Sequence, residues 1–145
     1  MSAADDSFAS HSPEGALSRA AKRQLAARSQ LDFDLEFYES ILRRAPRYVD
    51  VLRCQGELLN RKGLHDRAVL VDRQLAELLP DDCVVQYNLA CSLARIGQRA
   101  EAIESLRRAL EQGYRDFDYL HADGDLDALR GEPAFERLLQ EYEAA

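Results

Sequence analysis

The chain has 145 residues, 46% of them apolar and 31% charged, enough for one packed domain with a large solvated surface. No apolar run reaches about 18 residues, which excludes a helix that crosses a membrane. The formal charge of −7 is carried by residues 116–145, with nine acids against two arginines, so residues 1–115 are neutral. An acidic end on a neutral body excludes nucleic acid as the main partner, because phosphate contacts need clustered Lys and Arg. Cys54, Cys83 and Cys91 form no CxxC pair, and the three histidines at 11, 65 and 121 are scattered, so no metal-ligand spacing exists. Unpaired cysteines suit a reducing compartment, and Cys54 and Cys91 read as small packing thiols.

Residues 1–14 are small, polar and acidic, without the apolar stretch of a secretory signal; they are expected to be disordered in a cytoplasmic protein. Residues 15–30 form an alanine-rich helix with Arg19, Lys22, Arg23 and Arg28 and a weak stripe through Leu17, Ala21 and Leu25. That stripe is too poor in large side chains for a membrane surface, so the helix is expected to be solvated and loosely packed. Asp32 or Asp34 caps a second helix. There Phe33, Phe37, Tyr38, Ile41 and Leu42 recur at spacings of three and four, and this stripe is expected to form the N-terminal end of the core. Burying each such side chain contributes about 1.5–3 kcal/mol.

Pro46 ends that helix, and the next carries Tyr48, Val51, Leu52, Leu58 and Leu59 up to a break at Lys62-Gly63. His65, read as a solvated or capping residue, leads into a helix over Ala68 to Leu79. Pro80-Asp81-Asp82 then cap the stretch from Val84 to Gly113, two helices with a turn at Ile96-Gly97-Gln98. Leu89, Ala90 and Leu93 face Ala102, Leu106, Ala109 and Leu110, and each helix is too short to stand alone. Beyond Gly113 the pattern gives short helices around 117–121, 125–130 and 133–142. Their Leu126, Leu129, Phe135, Leu138 and Leu139 supply an apolar lid.

A shift of 34 residues places Gly56 on Ala90, Leu59 on Leu93, Gly63 on Gly97, Ala68 on Ala102, Val69 on Ile103 and Pro46 on Pro80. This period, with small residues at helix crossings and a closing proline, resembles the tetratricopeptide repeat. Two departures stand out. Asp72 occupies a position where an aromatic is usual, so Val71 and Leu75 are expected to take over the buried stripe, and Tyr114 stands where proline would close the second unit. The resemblance implies an all-α, right-handed α-solenoid of antiparallel helix pairs. It would comprise two full repeats at 47–80 and 81–114, a degenerate repeat at 15–46 and capping helices at 115–145.

Chemistry is thinly represented. Asp123, Asp125 and Asp127 alternate like calcium-loop ligands, but Ala128 and Ala134 stand where Gly and Glu are required, so they read as caps and surface. With no P-loop and no nucleophile elbow, neither an enzyme nor a cofactor or metal site is expected. What remains is a row on the first helices of successive pairs: Arg53, Glu57, Asn60 and Arg61, then Tyr87, Asn88, Cys91 and Arg95. Arginine and tyrosine are good recognition residues. The resemblance further implies that Asn88 holds a ligand's backbone. A family mode that grips a terminal carboxylate is disfavoured, because Glu57 stands where a second asparagine is expected. The expectation is a non-enzymatic scaffold that binds a protein or peptide segment in a concave groove. Self-association through Phe33, Phe37 and Tyr38, giving a homo-oligomer, and service as an accessory enzyme subunit are the alternatives.

Overall fold

The computed structural model describes residues 17–145, and the stretch 1–14 expected to be disordered lies outside the described residues. All regular structure among the described residues is helical. In chain order come α1 (Arg19–Arg44), α2 (Val49–Arg61), α3 (His65–Leu78), α4 (Cys83–Arg95), α5 (Arg99–Glu111), α6 (Phe117–Ala122), a 3-10 helix (Gly124–Leu129) and α7 (Pro133–Glu143). Each of α1 to α4 packs on its successor, α4 also meets the 3-10 helix, and α5 meets α7. No described helix is long and apolar enough to cross a membrane.

The ends of α2, α4 and α5 share one closure. Leu64 N–H bonds to Leu59 C=O, Gln98 N–H to Leu93 C=O and Tyr114 N–H to Ala109 C=O, at 2.9–3.0 Å. These bonds span six residues and enclose Gly63, Gly97 and Gly113, all at positive φ, in the Schellman arrangement. An added Cβ on Gly97 meets nothing within 4 Å, so only its backbone at φ +79° resists substitution. Gly97→Ala is therefore expected to cost about 1 kcal/mol in urea denaturation; an unchanged midpoint would contradict this closure.

The N-terminal region departs from the sequence reading. Instead of two helices meeting near residue 31, residues 19–44 form one continuous helix, capped by Ser18 rather than by Asp32 or Asp34. The sequence holds no Gly or Pro between Gly15 and Pro46 to stop it, and Gln30 bonds to Asp34 at 2.8 Å across the expected break. The aromatic stripe also fails to bury as a unit: Phe33 is 64% exposed and Phe37 54%. Of that stripe Tyr38 and Leu42 do pack inward, and Leu31 and Leu35 join them in place of Phe33 and Phe37. Their 4-3-4 spacing is equally helical, and they lie on the face of α1 that packs on α2 and joins the cluster with α3.

Two core clusters follow. One joins Leu35, Leu52, Leu58, Leu59, Ala68, Val71, Leu75 and Val85. The other runs from Val69 through Leu89, Leu93, Leu106 and Leu110 to Leu120, Leu126, Leu129, Phe135, Leu138 and Leu139, so the apolar side chains of the C-terminal elements belong to the main core. Two details differ from expectation. Asp72 is itself buried beside Val71 and Leu75, and Cys54 is exposed, whereas Cys91 is buried.

Candidate functional site

An open cavity of about 560 Å³ lies between α2 and α4, with Asp72 and Leu75 of α3 in its wall and Tyr119, Asp123 and Asp125 at its C-terminal side. Helical spacing explains the α2 contribution, because Arg53, Glu57, Asn60 and Arg61 recur at i, i+4, i+7 and i+8. On α4 the equivalent set is Tyr87, Asn88, Cys91 and Arg95. All eight residues named from the sequence line this cavity.

They do not play equal parts. Arg53 donates to Asp82 at 2.8 Å, and Asp82 also caps α4 by accepting from Val84 and Val85 N–H. Burial pushes the Asp82 carboxyl upward, but Arg53 and those amides outweigh it and hold the group below the ordinary carboxylate range. Arg95 pairs with Asp125 at 2.6 Å. Both arginines are thus committed within the chain. Glu57, Arg61 and Asn88 are exposed and have no side-chain hydrogen-bond or ion-pair partner among the described residues.

Tyr87 and Cys91 form wall rather than free recognition groups. The Tyr87 ring is buried and stacks on Tyr114, with centroids 4.3 Å apart and planes 4° from parallel. Its hydroxyl donates to Asp123 at 2.6 Å. Burial, then Asp123, pushes the Tyr87 phenol far up. The Cys91 thiol is pushed up in the same way, by burial and then by Asp123 and Asp125, so it stays protonated and donates to Asp123 at 3.5 Å. Cys91, Asp123 and Asp125 each bring a donor atom within 4.8 Å of the others. A protonated thiol and an Arg95-paired Asp125 make this a hydrogen-bonded cluster.

The sequence reading missed the polar chain behind this wall. His65 Nδ1–H donates to Asn60 Oδ1 at 2.9 Å, Asn60 Nδ2–H to Ser92 Oγ at 3.1 Å, and Ser92 Oγ–H to Asp72 Oδ2. His65 thus does more than cap a turn. Burial raises the Asp72 carboxyl to about 6, while the Ser92 bond works in the opposite direction. Gly56 makes room for it, since a Cβ there would lie 3.0 Å from Asp72 Oδ1. Asp72 did leave a trace in the sequence, as the acid that interrupts an apolar repeat position. Asp123 and Asp125 stood out in the sequence only as alternating acids read as caps and surface, because they reach the cavity through the packing of the 3-10 helix on α4.

No protein-family model matches the chain. Over 60 residues, 41% of its length, the chain is 35% identical to a chloroplastic protein of Arabidopsis thaliana. That stretch spans 18% of the relative, so the likeness concerns one segment of a much longer protein.

Proposed function

We propose that this chain is a non-enzymatic scaffold of the tetratricopeptide type, a short right-handed solenoid that holds a protein or peptide segment in the cavity between α2 and α4. One observation carries the reading: two helices a repeat apart turn Glu57, Arg61 and Asn88 into one open cavity and leave them unengaged. The 34-residue period and the repeated Gly63 and Gly97 closures support the solenoid. Against chemistry stand the two nucleophiles in the wall. Ser92 is buried and bonded to Asp72, and the Cys91 thiol is held protonated. Free thiols at Cys54, Cys83 and Cys91 suit the cytoplasm, where this proposal places the chain.

The test is capture of partners from an extract of the source organism, followed by titration with the recovered segment. Arg61→Ala with Asn88→Ala, both at exposed positions, is expected to weaken binding about tenfold or more while the helical circular dichroism stays unchanged. Parental affinity in the double variant would remove the cavity from the account.

A second reading, self-association, is favoured by Phe33 and Phe37, which flank a shallow pocket with Glu36, Glu39 and Arg43 on the outer side of α1. Sedimentation velocity decides it: a mass that rises with concentration and falls in Phe33→Ser/Phe37→Ser supports it, and a constant monomer removes it.

A further inference from the structure

Resting on the polypeptide-binding reading, we infer that the cavity selects a lysine or arginine side chain of the bound segment. The cationic head would sit at Asp72 and Glu57, with Tyr119 offering an aromatic face at the rim of the same cavity.

The charge inventory points this way. Arg95 neutralises Asp125, and Arg53 is turned toward Asp82. Of the remaining charged residues on the cavity, Glu57, Asp72 and Asp123 face a single cation, Arg61 at the rim. An excess of carboxylates in a concave, partly dry site attracts a cation, because low-dielectric walls focus its field.

Asp72 adds an independent observation. It is 5% exposed, one oxygen is held by Ser92, and the other has no hydrogen-bond partner among the described residues although the side chain lines the cavity. Buried carboxylates are ordinarily paired with a cation, and this one has none among the described residues. It also stands where the apolar repeat pattern is broken. Such local conflicts are expected where a site is built. The aromatic side agrees. Tyr119 is 56% exposed at the rim, 6.1 Å from Tyr87, and a phenol face attracts ammonium and guanidinium groups. Carboxyls in the wall of a cavity that also exposes an aromatic ring at its rim match the head and stem of a long basic side chain. They match neither an acidic nor a purely aliphatic one.

The test uses the full chain on immobilised nonapeptide pools whose central residue is lysine, arginine, norleucine or glutamate, with flanks randomised over Ala, Ser and Leu. Lysine and arginine pools are expected to retain about tenfold more protein than norleucine pools, and glutamate pools the least. Glu57→Gln and Asp72→Asn should each reduce that preference several-fold. Glu57 is exposed, so its variant keeps the test valid should the Asp72 variant fold poorly. A lysine preference that survives both substitutions overturns the assignment to these carboxyls. Equal retention of lysine and norleucine pools, lost in Arg61→Ala/Asn88→Ala, overturns the cation inference and leaves the groove standing. No retention of any pool above that of the double variant overturns the inference together with the groove.

Discussion

Phe135→Ala is expected to destabilise the whole protein by about 3–5 kcal/mol, the largest effect expected of a single truncation in this chain. The ring is 1% exposed and belongs to the cluster that holds Leu106 and Leu110 of α5 and Leu126 and Leu129 of the 3-10 helix. Its removal would leave a cavity where three elements meet, and those elements are too rigidly packed to collapse into it. Because the C-terminal helices share this core with α4 and α5, the loss should appear as one cooperative urea transition at a lower midpoint. A lid that merely rested on the repeats would instead fray alone and leave the main transition in place. Phe33→Ala is the control: its ring is 64% exposed, and a change within about 0.5 kcal/mol is expected. Should Phe135→Ala cost less than about 1 kcal/mol, the packing described for α7 is wrong.

The second large effect belongs to Asp72 and depends on pH. Its folded-state carboxyl titrates near 6, against 3.8 for an unburied aspartate, chiefly because burial disfavours the charged form. The folded protein therefore holds this proton more tightly than the unfolded chain does. Stability from this group is fully present below pH about 4 and is lost as pH rises through about 6. A shift of this size corresponds to roughly 3 kcal/mol. Asp82 works in a different window. Its carboxyl is held below the usual range, so its contribution is present above pH about 4 and is lost as pH falls further. The two effects separate when parent and Asp72→Asn are compared between pH 4 and 8. The variant, able to keep the Ser92 bond through its amide oxygen, should lack the decline of roughly 3 kcal/mol that the parent shows across pH 4–7. Parallel stability curves for the two proteins would show that this carboxyl is not buried as described. The experiment also bears on the cation inference, because a lysine or arginine head beside Asp72 would favour its charged form and draw its titration downward.

Several features could be read without coordinates because they rest on local chemistry. Gly63 and Gly97 mark helix ends since only glycine enters the left-handed region without strain, and both do so at φ +76° and +79°. The C-terminal elements follow the same logic: Pro133 opens α7, and Leu138 and Leu139 fall on its buried face. Residues of α2 and α4 that share a helix face were bound to appear side by side, and Arg53, Glu57, Asn60 and Arg61 do so at one cavity with Tyr87, Asn88, Cys91 and Arg95.

Where the choice lay between two periodic stripes, periodicity had no means to decide. In α1 the expected set at 33, 37, 38, 41 and 42 and the observed set at 31, 35, 38 and 42 share Tyr38 and Leu42 and satisfy helical spacing alike, and the packing of α1 on its neighbours selects Leu31 and Leu35 over Phe33 and Phe37. Charge engagement was equally hidden. Arg53 and Arg95 look as free as Arg61 in a list of letters, yet Asp82 and Asp125, each about thirty residues downstream, claim them. From α2 onward the sequence by itself determined the helices, their stops and the faces they bury, because capping, backbone strain and apolar spacing act within a few residues. The three-dimensional packing alone decided which arginines are paired, that Asp72 is buried beside Gly56 and Ser92 in the cavity wall, and that Asp123 enters the cavity. Those outcomes depend on distances between residues far apart in the chain, and electrostatic and desolvation energies are set by such distances rather than by order along the backbone.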